Sequence, residues 1–108
     1  MKEVEFLGNT QYVIAGWDAE VKHEAGYQLY RVQDGLDPID YKPMPDIGPG
    51  VREIRIHSGG EWRVIYTAKL KGVVYVLEAF KKTTTRTPQQ KIKNAKARLN
   101  EVLRATAV

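Results

Sequence analysis

The chain has 108 residues, enough for a single domain with one hydrophobic core. It contains no cysteine, which excludes disulfides, thiolate nucleophiles and thiolate metal sites and is typical of a reducing compartment. Its formal net charge of +4 indicates no more than an affinity for some anionic partner.

The charge is distributed unevenly along the chain. Residues 1–50 contain 4 Lys or Arg and 9 Asp or Glu, a balance of −5, whereas residues 51–108 contain 13 and 4, a balance of +9. This polarity favours a surface that binds a polyanion, although solvated helix faces are also rich in lysine.

The sequence gives no sign of a targeting or membrane segment. Charged residues follow Met1 at once, and the longest apolar stretch, residues 72–77, is far shorter than the ~20 residues of a membrane span. No repeat or linker divides the chain. We therefore expect a cytoplasmic protein without a membrane partner, folded as one domain over residues 1–108.

The first residues predict a strand and a short helix. Residues 3–7 alternate in polarity, which is typical of a strand, and the strand ends at Gly8. Asn9 or Thr10 then caps a short helix that ends at Gly16.

A longer helix is predicted to begin after Asp18 and to end at Asp34 and Gly35. Gly26 in its middle indicates a close crossing with another element. Spacings of three and four residues give the helix one buried stripe, formed by Val21, Ala25, Leu29, Val32 and Leu36.

Residues 37–50 contain four of the five prolines and predict an irregular loop that lies across the domain. Three strands follow, at residues 51–57, 62–68 and 73–80, joined by tight turns at residues 58–61 and 71–72. Such short connections predict an antiparallel meander, with the most apolar strand, the third, at its centre. On the first of these strands, Ile54 and Ile56 lie on one face, and the other face carries Glu53, Arg55 and His57.

The chain is predicted to end in a helix that begins with a capping box of Thr87, Pro88 and Gln90. Lysines and arginines cover most of its surface, and its buried stripe is formed by Ile92, Ala95, Leu99, Val102 and Leu103. The predicted order is β-α-α-β-β-β-α, an α+β domain with two N-terminal helices and one C-terminal helix.

The sequence contains none of the motifs GxxxxGK[ST], GxGxxG and HExxH, which bind phosphates, dinucleotides and catalytic zinc. The only two histidines, His23 and His57, are on different predicted elements, so a metal site would have to recruit carboxylates. We therefore predict neither a metal nor a small-molecule cofactor.

Cations converge at one end of the predicted meander. Arg55 and Arg63 lie on paired strands, and further cations follow the third strand: Lys81, Lys82 and Arg86. Guanidinium groups bind phosphate oxygens and stay charged, so they can stabilise the phosphorane that forms when the 2′-hydroxyl of RNA attacks the adjacent phosphodiester. Solvation of the strand surface, or pairing with Glu53 and Glu61 across the hairpin, explains the same pattern equally well.

RNA cleavage by its own 2′-hydroxyl also requires an acid and a base. His57 could serve as either, but a histidine at the end of a strand can also be merely exposed. Trp62 could stack on a base or pack in the core. Lys91, on the last helix, could contact phosphate or simply be solvated.

Four segments of the sequence occur together in one known family. They read YKPMPDIGPGVREIRI at residues 41–56, WRVIY at residues 62–66, VLEAFKKTTTRTP at residues 76–88, and QLYRVQDG at residues 28–35. In content and in order they resemble the phage-derived, HigB-like branch of the RelE/ParE superfamily of type II toxins.

This resemblance implies a RelE-like fold and a toxin that cleaves mRNA without a metal, commonly on the ribosome. It also implies a cognate antitoxin, often a helix-turn-helix DNA-binding protein. The phosphate-contacting arginine of the family falls on Arg63, and two further family positions fall on Arg55 and Lys82. Glu78 stands where the family usually has histidine, so Glu78 either replaces that group in acid–base chemistry or alters the activity.

The sequence thus predicts a metal-independent endoribonuclease in which Arg63, Arg55 and Lys82 stabilise charge. The proton-transfer candidates are Glu53, His57 and Glu78, and the RNA-binding candidates are Lys81, Arg86, Lys91 and Trp62. An Arg63→Ala variant is expected to lose toxicity and keep its fold. Two alternatives remain: a ParE-like toxin that inhibits DNA gyrase by binding it, and an inactive, prophage-derived binding module.

Overall fold

Helices cover both faces of one sheet in the computed structural model, which describes residues 1–106. The α+β class and the RelE-like architecture predicted from the sequence are confirmed. In chain order the elements are β1 (Glu3–Phe6), α1 (Thr10–Ala15), α2 (Ala19–Gln33), β2 (Tyr41–Pro43), β3 (Val51–His57), β4 (Glu61–Leu70), β5 (Val73–Lys82) and α3 (Gln89–Thr106).

The strands lie in the order β1-β5-β4-β3-β2. The meander of β3, β4 and β5 is antiparallel as predicted, but the sheet is mixed, because β1 pairs parallel to β5. Tight turns force antiparallel pairing only between consecutive strands, and no such turn connects β1 to β5. The predicted central position of β5 is also wrong, since β4 is the middle strand.

The proline-rich loop contains a strand that the sequence did not predict. Residues 41–43 form β2, which pairs antiparallel with β3 in a register that places Tyr41 opposite Ile54 and Pro43 opposite Arg52. Proline removes a backbone donor, but an edge strand needs hydrogen bonds on one side only, so Pro43 is tolerated here. The loop prediction is therefore wrong for these three residues.

Two hydrophobic cores lie on opposite sides of the sheet. Ile54 and Ile56 of β3 pack with α1 and α2, whereas Ile65 and Leu77 of the next two strands pack under α3. The alternating side chains of each strand thus face two buried layers. This is why Glu53, on the α3 side of β3, is buried although the sequence predicts an outward-facing position.

A β-bulge in β5 determines which residues reach α3. Ile65 pairs with Glu78, but the next residue of β4, Tyr66, pairs with Val76, so Leu77 is left without a partner of its own. A bulge of this kind disrupts the strict alternation of side chains. Leu77 and Glu78 therefore both lie on the α3 side.

The helix α2 begins after Asp18 as predicted, and Gly35, at φ 82°, reverses the chain after its last turn. Leu36 consequently lies beyond the helix and is exposed, so its predicted place in the buried stripe is wrong. The predicted close crossing at Gly26 is also wrong, because a Cβ at this position would meet nothing within 4 Å.

The predicted capping box of α3 does not form. The helix begins at Gln89, the Thr87 hydroxyl donates to Glu53 Oε2 at 2.8 Å, and the Gln90 amide donates to Asn94. Leaving a buried carboxylate oxygen without a donor costs more free energy than leaving a backbone N–H near solvent without a protein acceptor, because water can bond to the N–H. The buried stripe of α3 is otherwise as predicted, except that Leu103 is exposed.

Candidate RNA-binding groove

An open groove of about 710 Å³ lies on the α3 side of the sheet, bordered by β3, by residues 42–46 and by the segment that precedes α3. It contains two carboxylates, Asp46 and Glu53. We call it the basic groove for its four cations, Lys42, Arg55, Lys82 and Arg86. Cations from three separate segments thus surround one concavity, an arrangement suited to a polyanion.

Arg55 is the groove cation that is least engaged with the rest of the protein. It is partly buried, and its Nε is enclosed without a hydrogen-bond partner. Its side chain makes no hydrogen bond or ion pair of any kind within residues 1–106. The enclosed Nε cannot reach a ligand, but the two terminal nitrogens carry four of the five N–H donors of a guanidinium group and have no partner within these residues, so they are available for an anionic ligand.

Arg63 lies directly opposite Arg55 on β4 but differs from it in burial and in hydrogen bonding. It is only 5% exposed and does not line the groove. Its Nη1 donates to the Trp62 carbonyl oxygen at 3.0 Å, its Nη2 donates to Glu61 at 3.1 Å, and its Nε lies 3.7 Å from Glu53. The arginine that the family resemblance places in contact with phosphate is thus engaged by its neighbours.

A chain of alternating charges runs from the β2 side of the sheet to the segment before α3. Glu61 is a shared acceptor, because one of its oxygens accepts from both His57 and Arg63. Glu53 also lies between two partners: its Oε1 is 3.7 Å from Arg63 Nε, and its Oε2 accepts from the Thr87 hydroxyl. We call this set the ion network: Asp40, His57, Glu61, Arg63, Glu53 and Thr87.

His57 stands between two carboxylates. Its Nδ1 lies 2.7 Å from Glu61 Oε2 and its Nε2 lies 2.7 Å from Asp40 Oδ2. Both ring nitrogens must carry a proton to donate to both carboxylates, so this geometry fits the imidazolium form. These partners, Glu61 first, raise the pKa of His57, and the histidine in turn lowers the pKa of Glu61.

Glu53 is the carboxylate that is buried in the wall of the basic groove. It is 1% exposed, the Thr87 hydroxyl donates to its Oε2 at 2.8 Å, and its Oε1 lies 3.7 Å from Arg63 Nε. Arg55 lies two residues after Glu53 on β3, on the same face of the strand. The groove thus combines an unengaged guanidinium group with a fixed carboxylate, which is the minimum for binding a phosphate and accepting a proton.

Glu78, which replaces the histidine of the family, does not line the groove. It is 2% exposed beneath α3, where Asn94 donates to it at 2.9 Å, Arg98 donates at 3.2 Å and the Ala79 backbone N–H donates at 3.0 Å. In this position Glu78 attaches α3 to the sheet. It is separated from Glu53 by Ile65, the residue between them in the same row of the sheet.

Trp62, Lys81 and Lys91 also do not line the groove. Trp62 belongs to the core on the α1 and α2 side, where its ring lies 5.2 Å from that of Trp17, and Lys81 Nζ lies 5.0 Å from the same ring. Lys91 Nζ lies 5.8 Å from the Phe80 ring. Of the four residues predicted to bind RNA, the structure brings only Arg86 into the groove with Lys82 and Arg55.

Five residues of the groove and the network were missed as functional candidates: Asp40, Lys42, Asp46, Glu61 and Thr87. Lys42 and Thr87 had a signal, since both lie within the segments that resemble the family. Asp40 had none, because a carboxylate in a proline-rich loop has no periodic neighbours that fix its direction.

A second groove, of about 430 Å³, lies on the other side of Arg55 and is lined by both histidines, His23 and His57, together with Glu20, Glu24 and Asp40. Within residues 1–106 no group of three or more histidine or carboxylate side chains is arranged to hold a metal ion.

Over the same residues, no helix combines the length and the apolar character needed to cross a membrane.

Comparison with known proteins identifies a family for this chain. A search of curated proteins found no similar sequence. Residues 13–100 match the family described as phage-derived protein Gp49-like (DUF891), and this range includes the basic groove and the whole of the ion network. The chain therefore belongs to the Gp49-like family of phage-derived proteins, which is a RelE-like, toxin-type family.

Proposed function

We propose that this protein is a HigB-like toxin of a type II toxin–antitoxin pair and that it cleaves mRNA as a metal-independent endoribonuclease in the cytoplasm, on the ribosome. The observation that carries the proposal is the unengaged Arg55 guanidinium beside the buried Glu53 carboxylate in a groove with three further cations. Membership of a toxin-type family supports the same conclusion.

The proposed reaction uses the 2′-hydroxyl of the RNA as nucleophile. Glu53 accepts its proton, the 2′-oxygen forms a bond to phosphorus, and the bond from phosphorus to the 5′-oxygen of the next nucleotide breaks. Lys82 donates a proton to that leaving oxygen. The products are a 2′,3′-cyclic phosphate and a 5′-hydroxyl, so atoms and charge balance without a metal.

Arg55 has the central electrostatic role in this proposal. It binds the scissile phosphate and stabilises the extra negative charge of the phosphorane. Lys42 and Arg86, at the two sides of the groove, bind the flanking phosphates. Arg63 acts indirectly, because its guanidinium lies 3.7 Å from Glu53 and compensates the charge of that carboxylate.

We also propose a cognate antitoxin, a helix-turn-helix DNA-binding protein, as the partner that silences this activity. An inhibitor of the basic groove must present acidic groups to the cations of the groove or occupy the space in which RNA binds. Antitoxin binding would therefore compete with RNA.

The test is cleavage of a 5′-labelled RNA by the purified protein in EDTA, with free and ribosome-bound transcripts compared. We expect fragments that end in a 2′,3′-cyclic phosphate, and we expect Arg55→Ala to abolish them. The matched control is Lys71→Asn, which removes a cation at the far hairpin, where asparagine tolerates the positive φ of 50°.

Two results would contradict the proposal. If no RNA is cut but the protein inhibits DNA gyrase, the ParE-like alternative is correct. If neither activity is found and induction leaves bacterial growth unchanged, the chain is an inactive binding module.

A further inference from the structure

A second cluster of cations lies on the face of the sheet opposite the basic groove. A cavity of about 120 Å³, partly open to solvent, lies there between the C-terminal end of α2 and the sheet. Three cations line it from three separate segments: Lys2 before β1, Arg52 on β3 and Lys69 on β4. Like charges are normally kept apart on a protein surface, so their convergence on one cavity calls for an anion.

Tyr66 contributes a neutral donor to the same cavity. It lies opposite Arg52 on the neighbouring strand and is 2% exposed. Burial raises the pKa of Tyr66 above its usual value, although the Arg52 guanidinium opposes this shift. The phenol therefore keeps its proton and can donate a hydrogen bond to an anionic oxygen.

Asp37 is the only carboxylate in the lining of the cavity. It bridges to Arg52 Nη1 at 2.8 Å, and its side chain is 65% exposed. An exposed ion pair of this kind is weak and can be exchanged for a stronger anionic partner. With three cations and one carboxylate, the lining has a net charge of +2.

The backbone keeps the lysine stems in place around the cavity. Gly50, at φ 77°, lets the Lys69 stem approach so closely that a Cβ at Gly50 would lie 2.5 Å from Lys69 Cγ. Lys2 Nζ lies 3.4 Å from the Ala68 carbonyl oxygen, at the edge of hydrogen-bonding distance. An anion would offer both ammonium groups a stronger acceptor than they have now.

We propose that this cavity, formed by Lys2, Arg52, Tyr66 and Lys69, binds a single phosphate group. Its volume of about 120 Å³ accommodates one tetrahedral oxyanion. The phosphate belongs either to a free small anion or to the backbone of a bound RNA. The proposal goes beyond the proposed endoribonuclease function and does not depend on it, because the cavity and the basic groove lie on opposite faces of the sheet.

The test is a titration of the ¹⁵N-labelled full chain with inorganic phosphate at constant ionic strength, followed by NMR. The background variant is Arg55→Ala, which removes the main phosphate ligand of the basic groove. We expect saturable shifts at Gly35, Gly50 and Lys69. In the same background, Lys69→Ala should weaken phosphate binding by roughly tenfold or more, because a charge-assisted hydrogen bond is lost.

Lys71→Asn is again the matched control, since it removes another exposed cation two residues along the chain, outside the cavity. It should leave the affinity for phosphate unchanged. The proposal is overturned if the shifts do not saturate, if they lie elsewhere, or if Lys69→Ala and Lys71→Asn bind phosphate equally well. None of these outcomes depends on RNA cleavage, so this proposal can fail while the endoribonuclease proposal stands.

A second arm identifies the source of the phosphate. A short RNA replaces inorganic phosphate in the same Arg55→Ala background. If Lys69→Ala weakens both ligands, the site binds the RNA backbone. If it weakens inorganic phosphate alone, the site binds a free anion.

Discussion

The basic groove and the ion network occupy adjacent parts of one sheet face. Each contains an arginine, but the two arginines have opposite environments. Arg55 and Arg63 lie directly opposite each other on β3 and β4. Arg55 is unengaged at the groove, whereas Arg63 is 5% exposed and held by two carboxylates. The comparison shows that one arginine has no partner for its terminal nitrogens within residues 1–106, while its neighbour is engaged by the protein's own carboxylates.

This difference separates ligand binding from stability. An arginine whose donors are unsatisfied contributes little to folding but has them available for a ligand. An arginine beside a buried carboxylate, as Arg63 is beside Glu53, is required to compensate the charge of that carboxylate. Substitutions at these two positions should therefore affect different measurements, and the predictions below test that separation.

The largest effect is expected from Arg63→Ala. It leaves the buried Glu53 carboxylate without its cation, which costs about 3–5 kcal/mol of unfolding free energy. Urea unfolding monitored by circular dichroism measures this loss. The structure thus changes the expectation that Arg63→Ala keeps its fold, and a variant as stable as wild type would show that Arg63 has no such compensating role.

Arg55→Ala should have the second largest effect, on cleavage and not on stability. Removing a preorganised donor to a developing oxyanion lowers the rate by roughly 10²- to 10³-fold, whereas the unfolding free energy should change by less than about 1 kcal/mol. Single-turnover cleavage and urea unfolding on the same preparation give both values. A large loss of stability together with activity would mean that Arg55 belongs to the scaffold.

Thr87→Val tests the link between the groove and the network with a smaller change. The substitution keeps the shape of the side chain but removes the donor to Glu53 Oε2, so we expect a loss of about 1–3 kcal/mol in unfolding free energy. Thr83→Val, at an exposed position four residues earlier, is the matched control and should be neutral. Equal effects of the two variants would contradict a specific role of the Thr87 hydroxyl.

The smallest effect is expected from the pH dependence of His57, because its side chain is 53% exposed. Its raised pKa means that its stabilising contribution is complete below its ordinary pKa of 6.5 and is lost as the pH rises through the higher folded value. The lowered pKa of Glu61 gives the opposite dependence, so its contribution is complete above 4.5 and is lost at lower pH.

The urea midpoint of the wild type should therefore be higher near pH 6 than near pH 9. His57→Gln should reduce this difference, and high salt should do the same by screening the exposed pairs. His23→Gln, on α2, should retain it. An unchanged pH dependence in His57→Gln would show that the His57 contacts add nothing to stability.

The sequence alone determined the layout of the elements. Alternation and turn residues predicted β3, β4 and β5, and the capping and glycine signals located the ends of α2. These features are local, because they depend on side chains close together in the chain. The same local signals placed Arg55 and Arg63 on neighbouring strands.

Local signals misjudged the environment of several residues. Alternation predicted that Glu53 faces outward, but α3 and the segment before it cover that face. Glu78 was a proton-transfer candidate, and the bulge at Leu77 directs it under α3 instead. Which layer covers a strand face is set by the packing of distant segments, and periodicity within one strand contains no information about it.

Tertiary structure alone decided which cations are available to a ligand. The sequence presents Arg55 and Arg63 as equivalent, each two residues from a glutamate. Only the pairing of β3 with β4 and the packing of the Thr87 segment assign Glu53 and Glu61 to Arg63 and leave Arg55 at the groove. Residue types thus determined that this protein has a cationic face, and three-dimensional pairing determined which arginine of that face is engaged by carboxylates and which is not.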